Sequence, residues 1–166
     1  TRAAVGAVIV GINTVLQDDP LLTCRIPGGR NPLRVVCDSG LRTPLDSALV
    51  KTAAEVPTLL ACCVSDTARH EAYLAAGCEI LTFPGKRVDL RALLTSLGAR
   101  GINEVLVEGG AELGWALLSA GLVQRVQAYI APKLFGGKNA PSALGGTGVP
   151  CPPDAFSLKN LHIRSF

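Results

Sequence analysis

Apolar and polar positions along this chain follow two different periods. Short apolar, β-branched runs at 7–10, 33–37, 57–64, 79–83, 104–107 and 126–130 predict strands. Between them the period lengthens to that of a helix. Leu90, Leu93, Leu94 and Leu97 fall on one helical face. A weaker helical pattern covers 66–76, with Asp66 as its N-cap and Gly77 as its stop. A third helix starts just beyond 104–107. Leu113, Ala116, Leu117 and Ala120 form its buried stripe, Glu112 and Ser119 lie opposite, and Gly121 ends it. Strands alternating with helices predict an α/β domain whose mostly parallel central sheet is flanked by helices on both faces. Residues 155–166 read as strand again, so an antiparallel C-terminal edge is expected. The Gly/Pro-rich stretch 136–153 is expected to be a long loop.

Composition narrows the class. A chain of 166 residues is one domain long enough to bury a core, and 48% apolar with 17% charged residues is a globular balance. No apolar run approaches a membrane span, and residues 1–10 do not read as a signal peptide. A net charge of +3 is too small to argue for nucleic acid, although it suits a protein that handles small anions. Cys37, Cys62, Cys63 and Cys78 lie inside apolar runs and no C-x-x-C occurs, which predicts reduced thiols and a cytoplasmic protein. Methionine is absent, position 1 included, as expected of a fragment or trimmed product.

Ligands of open α/β sheets sit at the carboxyl ends of the strands, and three segments place polar residues there. In 104–118, EVLVEGGAELGWALL, the acid Glu108 and the pair Gly109-Gly110 stand on the seam between strand and helix. Glycines there admit a ligand close to the backbone, and a helix start offers free N–H groups to an anion. The spacing G-G-x-x-x-G is not that of a dinucleotide turn, and no P-loop lysine follows. A tight turn with a solvated acid fits these residues equally well.

In 11–25, GINTVLQDDPLLTCR, Asn13 or Thr14 is expected to cap a short helix ending at Asp18-Asp19-Pro20. Adjacent carboxylates point apart on a regular backbone, so an Asp/Pro turn explains them more simply than an acid/base pair does. In 30–44, RNPLRVVCDSGLRTP, a strand ends in Asp38-Ser39-Gly40 with Arg34 and Arg42 nearby. Hydroxyls and arginines at such a turn suit a phosphate, in particular the extra phosphate of NADP, while Arg42 taken singly reads as a surface residue. The glycines of 131–148 are read as loop rather than anion nest. His70 lies in a polar helical stretch and His162 in the last strand; with cysteines at non-ligand spacings they predict no metal site. No nucleophilic triad or zinc-deaminase signature is present.

Taken together, G-x-x-T-V-L-x-D-D-P-x-L-T-x-R at 11–25, P-L-R-V-V-x-D-S at 32–39, V-L-V-E-G-G-A-x-L at 105–113 and Y-I-A-P-K-L-F-G-G at 129–137 resemble the reductase domain of bacterial riboflavin-biosynthesis deaminase/reductase proteins. Four motifs in one order are specific, and they cover nearly the whole chain. The resemblance implies a dihydrofolate-reductase-like fold and NADPH-dependent reduction of the ribosyl group of 5-amino-6-(5-phosphoribosylamino)uracil to its ribitylamino product. Position by position, it implies cofactor contacts from Thr14, Asp18, Ser39 and the run Gly110, Ala111, Glu112, Leu113, Gly114, Trp115 and Ala116. It implies substrate contacts from Leu22, Arg25 and Glu108, with Glu108 and Asp18 nearest the chemistry. Arg25 suits the substrate's 5-phosphate.

The resemblance further implies a homodimer and a zinc deaminase domain that often precedes the reductase. Against that family, the chain is expected to be a single reductase domain lacking the first strand and helix, the last strand and the deaminase. Two other functions fit the same residues: a reductase of this fold acting on another small substrate, and a non-catalytic nucleotide-binding or dimerisation module.

Overall fold

The computed structural model describes residues 2–134, 136, 137, 140 and 142–165. Five strands and five α-helices alternate in the order β1 (Ala7–Gly11), α1 (Ile12–Asp18), β2 (Leu33–Cys37), α2 (Ala48–Lys51), β3 (Thr58–Cys62), α3 (Thr67–Ala75), β4 (Glu79–Thr82), α4 (Leu90–Ala99), β5 (Val105–Val107) and α5 (Ala111–Ser119). The strands form one sheet, ordered β4-β3-β2-β1-β5, in which every pair is parallel. The alternation of strand and helix produces this directly, because each parallel connection needs a crossover.

The sheet's two faces carry separate cores. Val8, Val10, Val36, Leu60 and Cys62 point to one face and pack against Ile12 and Val15 of α1, Leu49 and Val50 of α2 and Tyr73 of α3. Ala7, Ile9, Val35, Leu59 and Ala61 point to the other and meet Leu93 and Leu97 of α4 and Leu113 and Leu117 of α5. Strand neighbours alternate between faces, so a continuously apolar run such as 7–10 is what a doubly covered strand requires. α3 begins as its expected cap predicts, and α4 carries an aspartate cap of the same kind. Asp66 accepts a hydrogen bond from the N–H of Ala68, and Asp89 from that of Ala92. Gly77, with φ +91°, reverses the chain after α3, as only glycine does without strain.

Several expectations need correction. α1 starts one residue earlier than its expected cap: Gly11 is its N-cap without a side-chain bond, so Asn13 and Thr14 lie within the first turn. α2 is only four residues long, too short to leave a periodic signal. Ala120 is exposed just beyond α5, where the helix has already ended. His70 is buried, with Nε2 2.8 Å from the Val64 carbonyl, and so it anchors α3 to the end of β3.

The largest difference lies at the C-terminal end. Residues 126–130, expected as a strand, form none, and the antiparallel edge expected from 155–166 is absent from 155–165; Phe166 lies outside the described residues. Ile130, Leu158, Leu161 and Ile163 are all exposed. Alternation marks a segment as compatible with a sheet, but a strand exists only through hydrogen bonds to a neighbour.

Candidate functional site

The strand order reverses at β1. From there the chain builds outward through β2, β3 and β4, then returns to place β5 on the other side of β1. The connection leaving β1 runs into α1 on one face, and that leaving β5 runs into α5 on the opposite face. Such a switch point opens a crevice beyond the carboxyl ends of the two strands. Thr14 of α1 lies at its edge beside Gly109 and Gly110. A Cβ on Gly109 would stand 2.9 Å from Thr14 Oγ1, and both glycines have left-handed backbone, with φ of +67° and +78°. Side chains at either position would be strained and would fill the seam. Gly110 caps α5 without any side-chain hydrogen bond, so no side chain occupies the cap position of that helix.

Two strands away, β2 ends in the turn that contains Ser39. Its Oγ accepts a hydrogen bond from the Val88 N–H (3.1 Å), and its carbonyl accepts one from the Cys63 N–H (3.0 Å). With neighbouring strands about 4.8 Å apart, the ends of β2 and β5 are separated by about 10 Å. Thr14, Ser39 and Gly110 thus lie along one sheet edge. Asp38 is fully buried under the turn. Its Oδ2 accepts hydrogen bonds from the backbone N–H groups of Arg42 and Thr43 and from the Thr43 hydroxyl. Burial, reinforced by the Asp38 charge, pushes the adjacent Cys37 thiol up to about 12. Cys63, beside Ser39, is also raised by burial, with the Ser39 hydrogen bond acting against the shift.

On the other side of the switch point, Glu108 continues β5, its N–H bonded to the Ile9 carbonyl at 3.1 Å. Its carboxylate is gripped by Arg2, whose Nε donates to Oε1 at 2.9 Å while Nη2 donates to the same oxygen. Arg2 Nη1 also donates to the Thr23 carbonyl at 3.0 Å. Arg2, Ala3, Cys24, Arg25, Ile26 and Glu108 line a cavity of about 270 Å³. It holds two guanidinium groups and one carboxylate, a set suited to a phosphorylated, polyhydroxylated ligand.

The structure therefore joins Arg25 and Glu108 in one cavity, and it places Thr14 against the glycines at the start of α5. Leu22 is only 2% exposed and packs in the core with φ +53°, so its side chain faces no cavity and its backbone alone is available. Asp18 is exposed at the end of α1, away from any hydrogen-bond partner among the described residues. Arg34 is removed from any phosphate role: it is fully buried at the opposite end of β2. Arg42 is exposed and its Nε lies 3.6 Å from Asp38 Oδ1.

The first turn of α5 is overlaid by residues 144–146. Gly145 N–H donates to the Ala111 carbonyl (2.9 Å), Gly146 N–H donates to Glu112 Oε1 (3.0 Å), and Leu144 packs on Gly114. Trp115 meets the edge of Phe156, with ring centroids 6.0 Å apart. Sequence reasoning missed Arg2, because an arginine in a three-residue 3-10 turn carries no periodic or motif signal. Only the fold sets it beside Glu108, 106 residues away. Among the described residues no cluster of potential metal ligands occurs, and no helix is long and apolar enough to cross a membrane.

Comparison with known proteins bears on the family and the fold. Residues 1–166 match the family model described as the RibD C-terminal domain. The chain is 45% identical over 161 residues to the riboflavin biosynthesis protein RibD of Actinobacillus pleuropneumoniae, covering 96% of this chain and 43% of that protein. It is 38% identical over 161 residues to the 2,5-diamino-6-ribosylamino-4(3H)-pyrimidinone 5′-phosphate reductase of Methanothermobacter thermautotrophicus, covering 95% of this chain and 74% of that one. The solved structure of Acinetobacter baumannii RibD superposes with a TM-score of 0.74 at 29% identity, over 87% of this chain and 40% of that protein. The chain thus spans less than half the length of its RibD relatives. The parallel sheet with helices on both faces is the dihydrofolate-reductase-like arrangement that the motifs implied.

Proposed function

The chain belongs to the RibD C-terminal domain family, and from that premise we propose that it reduces the ribosyl group of 5-amino-6-(5-phosphoribosylamino)uracil to the ribitylamino product in riboflavin biosynthesis, using NADPH. The observation that carries this reading is the meeting of two unlike seats at one switch point. One is a glycine-lined helix start beside Thr14; the other is a cavity lined by Arg2, Arg25 and Glu108.

The residues present fit the cofactor. A Cβ at Gly109 would stand 2.9 Å from Thr14 Oγ1, so Thr14 reaches the start of α5 only because residue 109 is glycine. The start of α5 at Gly110, at the edge of the turn that residues 144–146 overlie, would hold the pyrophosphate, and Ser39 would hold the adenosine end with its 2′-phosphate. Bound there, the cofactor supplies the hydride.

The protein's part is orientation and charge. Arg25 pairs with the substrate's 5-phosphate. Glu108, aimed by Arg2, accepts hydrogen bonds from the ribose hydroxyls. Leu22 packs in the core behind the loop that carries Arg25, and Asp18 borders the nicotinamide end. Arg2 is added to this set on its geometry. The six free thiols accord with a reducing cytoplasm. The exposed apolar residues Ile130, Leu158 and Ile163 support a homodimer.

The test follows NADPH oxidation with the phosphoribosylaminouracil and with its 2,5-diaminopyrimidinone counterpart. Turnover of the uracil compound is expected. Turnover of the diamino compound alone would move the substrate to that of the archaeal relative, and turnover of neither would overturn the proposal.

A further inference from the structure

Arg34 is an arginine without a counter-ion. It is fully buried, and among the described residues no carboxylate lies within ion-pair distance. Burial pushes its guanidinium below the ordinary arginine range. Buried charges are costly unless their donors are used; here both terminal nitrogens are used, on backbone carbonyls and threonine hydroxyls, while Nε has no partner among the described residues. Nη2 donates to the carbonyls of Leu49 (3.1 Å) and Val56 (2.7 Å) and to Thr58 Oγ1 (2.6 Å). Nη1 donates to Thr52 Oγ1 (2.8 Å) and to the carbonyl of Leu21 (3.2 Å). One fork therefore ties α2 and the start of β3 to Leu21, which belongs to the loop carrying Leu22, Cys24 and Arg25.

A second tie joins the same two parts. Asp19 ends α1 in left-handed backbone (φ +39°), and its Oδ1 accepts a hydrogen bond from the N–H of Ala48, the first residue of α2. Directly after Leu21 stands Leu22, a buried leucine with φ +53°. That conformation is disfavoured for any residue with a Cβ and persists only where the surroundings impose it. The loop holds its shape because α2 grips it on both sides of Pro20.

We propose that α2 is a bracket for the substrate loop, with Arg34 and Asp19 as positioning residues that hold residues 19–25 so that Arg25 reaches the cavity. The inference rests on the proposed function for its substrate, but its mechanical part does not. Lysine at 34 cannot reach Leu21 and the α2–β3 segment together, because an ammonium lacks the planar fork. Alanine at 19 removes the acceptor for Ala48, whereas asparagine keeps both the acceptor and tolerance of left-handed backbone.

The experiment compares wild type, D19A, D19N and R34K by trypsin cleavage after Arg25 and Arg30, by NADPH affinity and by steady-state kinetics. Expected for D19A is faster cleavage at both sites. Its KM for the phosphorylated pyrimidine should rise about tenfold, the equivalent of one hydrogen bond, with kcat and NADPH affinity near wild type. D19N should restore wild-type behaviour, and R34K should follow D19A. Wild-type cleavage rates and KM in both D19A and R34K would overturn the bracket. So would an equal loss of NADPH affinity, which would mark a global effect. If wild type turned over neither pyrimidine, the substrate reading would fail, and the cleavage rates would still decide whether α2 holds the loop.

Discussion

Two strands of this sheet end in the same way on paper and differently in space. β2 runs into Asp38-Ser39-Gly40 and β5 into Glu108-Gly109-Gly110, each an acid followed by a small-residue turn at a carboxyl end. Asp38 folds under its own turn and is fully buried, with one oxygen satisfied by Arg42 and Thr43. The Glu108 side chain stays 29% exposed, held by Arg2 at the mouth of a cavity. The difference follows from reach and neighbours. A one-methylene acid closes on the N–H groups four and five residues ahead, while a longer acid next to left-handed glycines has no such donors in range. An acid at a strand end is therefore not in itself a site. What matters is whether its own turn consumes it.

Substitutions at the two ends separate these roles. Asp38→Ala removes the acceptor of three hydrogen bonds in a dry turn and should cost about 3 kcal/mol of stability by urea denaturation. Wild-type stability in that variant would erase the contrast. Glu108→Gln should unfold within about 1 kcal/mol of wild type, because its ion pair is partly solvated. Its turnover should nonetheless fall about a hundredfold with NADPH affinity unchanged. Loss of cofactor binding instead would merge the two seats into one. Arg25→Ala, on the cavity side alone, should weaken binding of the phosphorylated substrate by about 1.5–3 kcal/mol without altering stability, read from KM and a thermal melt.

The smallest effect lies in the thiols beside the buried acid. Cys37 is held at about 12 by burial first and the Asp38 charge second, and burial alone raises Cys78 to about 11, less the pull of Arg34. In the native protein at pH 8 both should resist iodoacetamide while exposed Cys151 reacts. Keeping these thiols neutral contributes stability that is whole below about pH 9. It is lost as pH rises toward 11–12, because the unfolded thiols ionise first. Asp38→Asn removes the secondary cause, so Cys37 alone should label somewhat faster. An equal change at Cys78 would point to loosening of the fold rather than to the charge.

Much of the fold was legible from local pattern. The first five strands, the Asp66 cap of α3, the leucine stripe of α4 and the glycine start of α5 follow from periods of two and 3.6 and from local capping, all short-range properties. α2 was invisible because four residues carry no period, although the geometry makes it the support of the loop that bears Arg25. The motifs reached Thr14, Ser39, Arg25 and Glu108, but sequence alone set Arg34 beside Arg42 as a phosphate partner when it is buried at the far end of its strand. Residues 126–130 alternate as a strand should and form none, since pairing is a property of two segments.

What the sequence determined by itself is therefore the alternation of elements, the doubly covered parallel sheet and the strand ends at which chemistry collects. Those depend on hydrophobic periodicity and backbone propensity, which act within a few residues. Only the tertiary structure decided which strand-end acid is consumed by its own turn, which arginine meets Glu108 across 106 residues, and which buried arginine is tied to the loop that bears Arg25. Those outcomes depend on distances between segments far apart in the chain, and no local period encodes them.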